Sequence, residues 1–147
     1  MSRDLELALE TTTRQSSVTL GRGDDILETI DLPAQRRHNV ALMPALDALL
    51  DRHNATPADL ALLHVSVGPG SFTGLRIGIA TAKGLSLATG CRTTAVPTLD
   101  VLVNRVPDPP PRLAAALNQK RGTVYCAVYE SATDGDHWRQ IVAPAVR

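Results

Sequence analysis

The 147 residues are enough for one domain or slightly more, and a hydrophobic content of 44% can bury a core. Lys and Arg number 15 and Asp and Glu 15, so the formal net charge is zero, which argues against a free-standing nucleic-acid binder or a protein held to a membrane by basic residues. Cys91 and Cys126 lie far apart without a C-x-x-C pattern, the first ten residues lack the apolar run of a signal peptide, and nothing approaches the roughly 18 apolar residues of a membrane span, so a cytoplasmic protein with no membrane segment is expected.

Leu5, Leu7 and Leu9 alternate with Glu6 and Ala8, the period of two that marks a strand. Ser17 to Leu20 and residues 26–32 predict two more, and the Gly21-Arg22-Gly23-Asp24-Asp25 turn makes the three an antiparallel meander. A helix follows, with Asn39 as its N-cap and Leu42, Leu46, Leu49 and Leu50 on one face; Met43 widens the stripe and Pro44 bends it. Thr56-Pro57 predicts a short capped turn, residues 60–67 a buried strand, and residues 72–89 a helix stopped by Gly90. Residues 93–96 read as a strand and 99–106 as a helix. The Pro107-Asp108-Pro109-Pro110-Pro111 run is the strongest breaker, so a lobe over 1–106, a linker over 107–111 and a shortened second lobe over 112–147 are expected. In that last part, residues 113–117 and 123–129 predict two strands around Lys120-Arg121-Gly122, and 138–142 a third.

The most informative segment is G-P-G-S-F-T-G-L-R-I-G over residues 68–78. A strand, a glycine-rich turn and a helix N-terminus in succession expose backbone N–H groups at the positive end of a helix dipole, a potential anion site. Gly70, Ser71 and Thr73 are the candidate phosphate-binding residues; the alternative is a capped, tightly packed helix start with no ligand. The Walker A, dinucleotide and nucleophile-elbow spacings all fail, since Lys83 precedes Gly84, Gly68, Gly70 and Gly74 are one residue out of step, and Pro69 stands where an elbow needs glycine. Within the helix, Gly74, Gly78 and Ala82 recur at every fourth position as one small-residue strip. Each internal glycine costs about 1 kcal/mol against alanine, so a closely packed neighbour must offset it. That neighbour is either the chain's own sheet or a helix of another subunit.

The segment strongly resembles the signature of the TsaB (YeaZ) family. The likeness extends to the L-A-L-E-T-T-T-R-Q-S-S-V stretch from Leu7, to Arg36-Arg37-His38 running into Leu42-Met43-Pro44-Ala45-Leu46-Asp47, and to N-Q-K-R-G-T-V-Y from Asn118. It implies an α/β, actin-like (ASKHA, ribonuclease H-like) lobe with a mixed sheet and flanking helices, plus the start of a second lobe. It also implies an accessory role. In the family, TsaD transfers a threonylcarbamoyl group to N6 of adenosine 37 in ANN-decoding tRNAs, the ATPase TsaE is a third component, and TsaB-like chains dimerise with themselves or with TsaD through their first-lobe helices. Leu42, Met43, Leu46, Gly74, Gly78, Thr81, Ala82 and Leu85 are then the expected interface, and leucine at Gly78 should abolish association while leaving the chain folded. Glu10 and Asn118 depart from the family's usual aspartates, which weakens metal-assisted nucleotide chemistry, and the second lobe is shorter than is usual.

Catalysis has little to stand on. No two of His38, His53, His64 and His137 have the H-x-x-x-H spacing by which TsaD enzymes grip a metal, so each reads as a surface or helix-end residue. The peptidase label once attached to the family needs a metal-bound water or an activated nucleophile, and neither can be assembled. The expectation is therefore a non-catalytic chain with no metal and no cofactor, partnered by TsaD and TsaE, a homodimer when alone, and meeting tRNA only through the complex. Arg36, Arg37, Lys120 and Arg121 read mainly as solvated surface charge. An actin-like phosphotransferase using Ser71 and Thr73, and a structural homodimer without a tRNA role, are the competing readings.

Overall fold

A computed structural model describes residues 4–33, 38–108, 110–118, 122–131 and 138–146. The chain divides into two units, residues 1–67 with 71–96, and residues 68–70 with 97–147.

In the first unit the leucine alternation produces the expected meander. Strands β1 (Leu5–Glu10), β2 (Ser17–Arg22) and β3 (Asp25–Asp31) pair antiparallel, with Leu7 opposite Leu20 and Leu9 opposite Val18. Because side chains alternate across a strand, one sheet face carries Leu5, Leu7, Leu9, Val18 and Leu20, all buried. Strand β4 (Leu60–Ser66) pairs parallel to β1, and β5 (Arg92–Val96) parallel to β4, giving a mixed sheet in the order β3-β2-β1-β4-β5. Parallel neighbours need crossovers, which helices α1 (His38–Arg52) and α2 (Phe72–Thr89) supply. Leu42, Leu46, Leu49 and Leu50 of α1 complete the core with the sheet leucines. Asn39, expected as the N-cap, is the second residue of α1. The Thr56-Pro57 turn forms as expected, with the Thr56 N–H and hydroxyl both donating to the Asp59 carboxylate at 2.8 Å.

The second unit holds helix α3 (Thr98–Val103) and an antiparallel sheet of β6 (Arg112–Asn118), β7 (Val124–Ser131) and β8 (Trp138–Val146) in that order. The division falls before Pro97 and not at the proline run, because Leu99 and Val103 of α3 bury with Ala115, Ala127 and Tyr129. A helix follows the contacts of its apolar face, and those lie beyond the prolines in sequence. Strand β8 runs four residues further than the 138–142 expected, through Val146. Lys120, Arg121, Arg36, Arg37 and His137 lie outside the described residues.

Candidate functional site

The candidate site is built where the turn after β1 meets the start of α2. Glu10 ends β1 with its side chain 7% exposed, and its carboxylate is saturated by donors from its own fold. One oxygen, Oε1, accepts from the Thr12 N–H at 2.7 Å, the Thr12 hydroxyl at 2.6 Å and the Thr13 N–H at 3.1 Å. The other, Oε2, accepts from the hydroxyl of Ser66 at the end of β4. A buried carboxylate is tolerable only when its lone pairs are met in this way. The turn so held grips α2 at two points. The Thr12 carbonyl accepts from the Ser71 N–H at 2.7 Å, and the buried Thr11 hydroxyl donates to the Gly74 carbonyl at 2.8 Å.

This contact decides what the small-residue strip is for. A Cβ added at Gly74 would lie 1.8 Å from the Thr11 carbonyl oxygen, and one at Gly78 would lie 2.4 Å from the Thr11 Oγ1. Thr11 therefore fills the notch that Gly74 and Gly78 leave, and Gly78 also abuts Val65 of β4. Gly74, Gly78 and Ala82 are buried within the chain itself, as are Leu42 and Leu46. All five pack within the first unit itself. Met43 is 43% exposed, and Thr81 and Leu85 are half-buried.

The face of α2 opposite the strip is a different surface. Phe72, Arg76, Ala80, Lys83, Gly84 and Leu87 are all exposed, and each lies three or four positions from another of the set, so they form one ridge. Phe72 is 73% exposed and Leu87 85%, with the Arg76 guanidinium 5.7 Å from the Phe72 ring centroid. No polar pattern in the sequence pointed to this ridge. Its signal was two large apolar residues set at helix spacing away from the glycines.

At the candidate anion site, part of Ser71 is already engaged within the fold. The Ser71 N–H is spent on Thr12, and the Ser71 hydroxyl accepts from the Gly74 N–H at 3.2 Å, an N-cap. Gly70 and Thr73 are exposed. The nearby buried acid, Glu10, adds no attraction for phosphate. His64 pairs with Glu6 at 2.7 Å and His53 with Glu28 at 3.0 Å, where Arg52 also binds. The Arg52 guanidinium first, and His53 after it, hold the Glu28 carboxyl below its ordinary range. Among the described residues, no three His, Cys, Asp or Glu side chains converge as a metal site, and no helix is long and apolar enough to cross a membrane.

Comparison with known proteins settles the kinship. The family model described as "TsaD: tRNA N6-adenosine threonylcarbamoyltransferase" matches residues 32–146. A solved structure titled "YeaZ from Pseudomonas aeruginosa" superimposes with a TM-score of 0.85 at 31% identity, covering 99% of this chain and 67% of its own. The chain belongs to the TsaB (YeaZ) family. Its fold is the family's actin-like one. The tRNA threonylcarbamoyladenosine biosynthesis protein TsaB of Bacillus subtilis (strain 168) is 31% identical over 84% of this chain and 54% of its own length. The protein of the same description from Escherichia coli (strain K12) is 31% identical over 88% and 56%. The chain thus spans about half the length of the curated TsaB relatives it matches.

Proposed function

We propose that this chain is the non-catalytic partner of a TsaD-type transferase in the formation of N6-threonylcarbamoyladenosine at position 37 of ANN-decoding tRNAs. The observation that carries the reading is the exposed ridge of α2, with Phe72 at 73% and Leu87 at 85% exposure at its ends, on a unit whose buried Glu10 carboxylate is already met by donors of its own fold. Two large apolar side chains exposed at either end of one helix face, with the small Ala80 and Gly84 between them, suit association with another helix. The relatives named for threonylcarbamoyladenosine biosynthesis supply the pathway. The partner helix lies along the ridge; Met43 of α1 is exposed, while Thr81 and Leu85 are half-buried and Leu85 packs against the core on the glycine side of α2. The ridge also accepts a second copy of this chain when the transferase is absent. Contact with tRNA comes through the complex, in keeping with a net charge of zero, and TsaE joins as the third component.

Leu87→Asp tests this. Placing a charge in an apolar helix contact should weaken binding to the transferase of the same organism at least tenfold, read by titration calorimetry on protein that keeps its circular dichroism. Unchanged affinity would overturn the reading. The phosphotransferase alternative predicts heat on adding ATP with magnesium to the isolated chain, and the occupied Ser71 and Glu10 groups weigh against it.

A further inference from the structure

We infer that Glu10 and Thr11 are positioning residues for the partner-facing ridge: the turn after β1 is a hydrogen-bonded clamp that fixes the start of α2 in translation and rotation. The inference rests on the reading of α2 as the partner's seat.

Two features require more than core filling. First, the polar groups concerned are buried, with Glu10 7% exposed, Thr11 0%, Thr12 2% and Ser66 4%. Apolar side chains of similar shape would fill the same space at lower desolvation cost, so what the polar set adds is direction. Apolar packing is non-directional, whereas a hydrogen bond weakens as its length and angle leave a narrow range. Second, the bonds form a continuous series. Ser66 Oγ and the Thr12 and Thr13 donors fix the Glu10 carboxylate, and with it the turn. The turn then meets α2 through the Thr12 carbonyl at Ser71 and the Thr11 hydroxyl at Gly74. These two grips lie three residues apart, nearly one helical turn, so they fix both the height of the helix and its rotation. With Gly74 and Gly78 held against Thr11, Phe72, Arg76, Ala80 and Leu87 must face outward. Ser66 also ends the strand that leads into α2, so the same carboxylate ties down both the entry to the helix and the turn that grips it.

The test pairs shape against hydrogen bonding in the full chain. Thr11→Val keeps the volume and removes the hydroxyl, and Thr11→Ser keeps the hydroxyl. Thr11→Val should bind the TsaD-type transferase about five- to tenfold more weakly, and Thr11→Ser within about twofold of the parent. Amide hydrogen exchange in the isolated chain should rise across residues 72–78 in Thr11→Val and not in Thr11→Ser. Leu5→Ala, in the same core but outside the clamp's hydrogen bonds, serves as a control for lost stability. Ser66→Ala, which removes one donor from Glu10, is a gentler variant should Thr11→Val not fold. Val and Ser variants that bind alike, or a Leu5→Ala loss as large as that of Thr11→Val, would sink the proposal. Leu87→Asp separates this from failure of the underlying reading. If that change leaves binding intact, the partner reading falls and exchange across residues 72–78 alone decides whether the clamp exists.

Discussion

Gly74 and Gly84 sit in the same helix and should respond oppositely to alanine. A Cβ at Gly74 meets the Thr11 carbonyl oxygen at 1.8 Å, a backbone atom that cannot swing aside, whereas one at Gly84 meets nothing within 4 Å. Gly74→Ala should therefore destabilise by about 1–3 kcal/mol through overpacking. Gly84→Ala should stabilise by about 0.5–1 kcal/mol, because the exposed helix interior gains propensity without a clash. Urea denaturation of the two variants beside the parent checks both signs, and like signs would contradict the packing described. Gly78 behaves as Gly74 does. Leucine there would collide with Thr11 and Val65, so Gly78→Leu perturbs the fold and is no clean probe of association. The spacing of Gly74, Gly78 and Ala82 was legible in the sequence as a demand for a close neighbour. Which neighbour was not, since small residues admit a threonine knob from the same chain as readily as a helix from another.

Among the elements, α3 shows how a local pattern can be right and its allegiance wrong. Its apolar residues were visible, yet Leu99 and Val103 bury with Ala115, Ala127 and Tyr129 from beyond the proline run, contacts that no window on the sequence contains. The buried Tyr129 hydroxyl donates to the Asp100 carboxylate at 2.6 Å and locks α3 to β7. Burial, and then that carboxylate, push the phenol above its ordinary range. Tyr129→Phe leaves an Asp100 oxygen without this donor and should cost about 1–2 kcal/mol in denaturation measurements. Across the same sheet, Glu130 accepts from Arg139 at 2.7 Å and from Arg112 at 2.9 Å. The two guanidiniums, Arg139 first, hold its carboxyl below the ordinary 4.5. A carboxylate lowered in the folded state contributes stability above its unfolded value and loses it as pH falls through the folded one. Glu130→Gln should therefore flatten the decline of the unfolding midpoint below pH 4.5 and leave the slope near neutrality unchanged. An unaltered acid limb would show that the two arginines do not act on Glu130 in solution.

At the scale of the whole molecule, the alternating leucines of β1, the α1 stripe and the glycine-rich start of α2 made the first unit legible, because each is a local pattern repeated at its element's own period. The mixed order of its sheet was not in any of those patterns and came with the family resemblance. The two units differ in what holds them. The first buries leucines from β1, β2, β4 and α1 in one cluster, and β1 and β4 are interior strands bonded on both sides. The second rests on Leu99, Val103, Ala115, Ala127 and Tyr129, and its strand β8 ends the sheet with Ile141, Val142 and Val146 exposed. Amide protection follows buried contact and paired edges, so the chain should not open as one body. In native-state hydrogen exchange with a denaturant series, β1 and β4 amides should follow the global unfolding free energy, while β8 amides exchange through openings with a shallow denaturant dependence. Tyr129→Phe adds a second reading of the same experiment. It should lower protection in β6 and β7 by the stability it removes and leave β1 and β4 at the parent's values. Equal protection in β8 and β1, or a uniform loss in Tyr129→Phe, would mean that both cores melt together. A binding variant would then have to be judged against the stability of the entire chain, and matched-stability controls such as Leu5→Ala would become necessary for every ridge substitution as well as for the clamp.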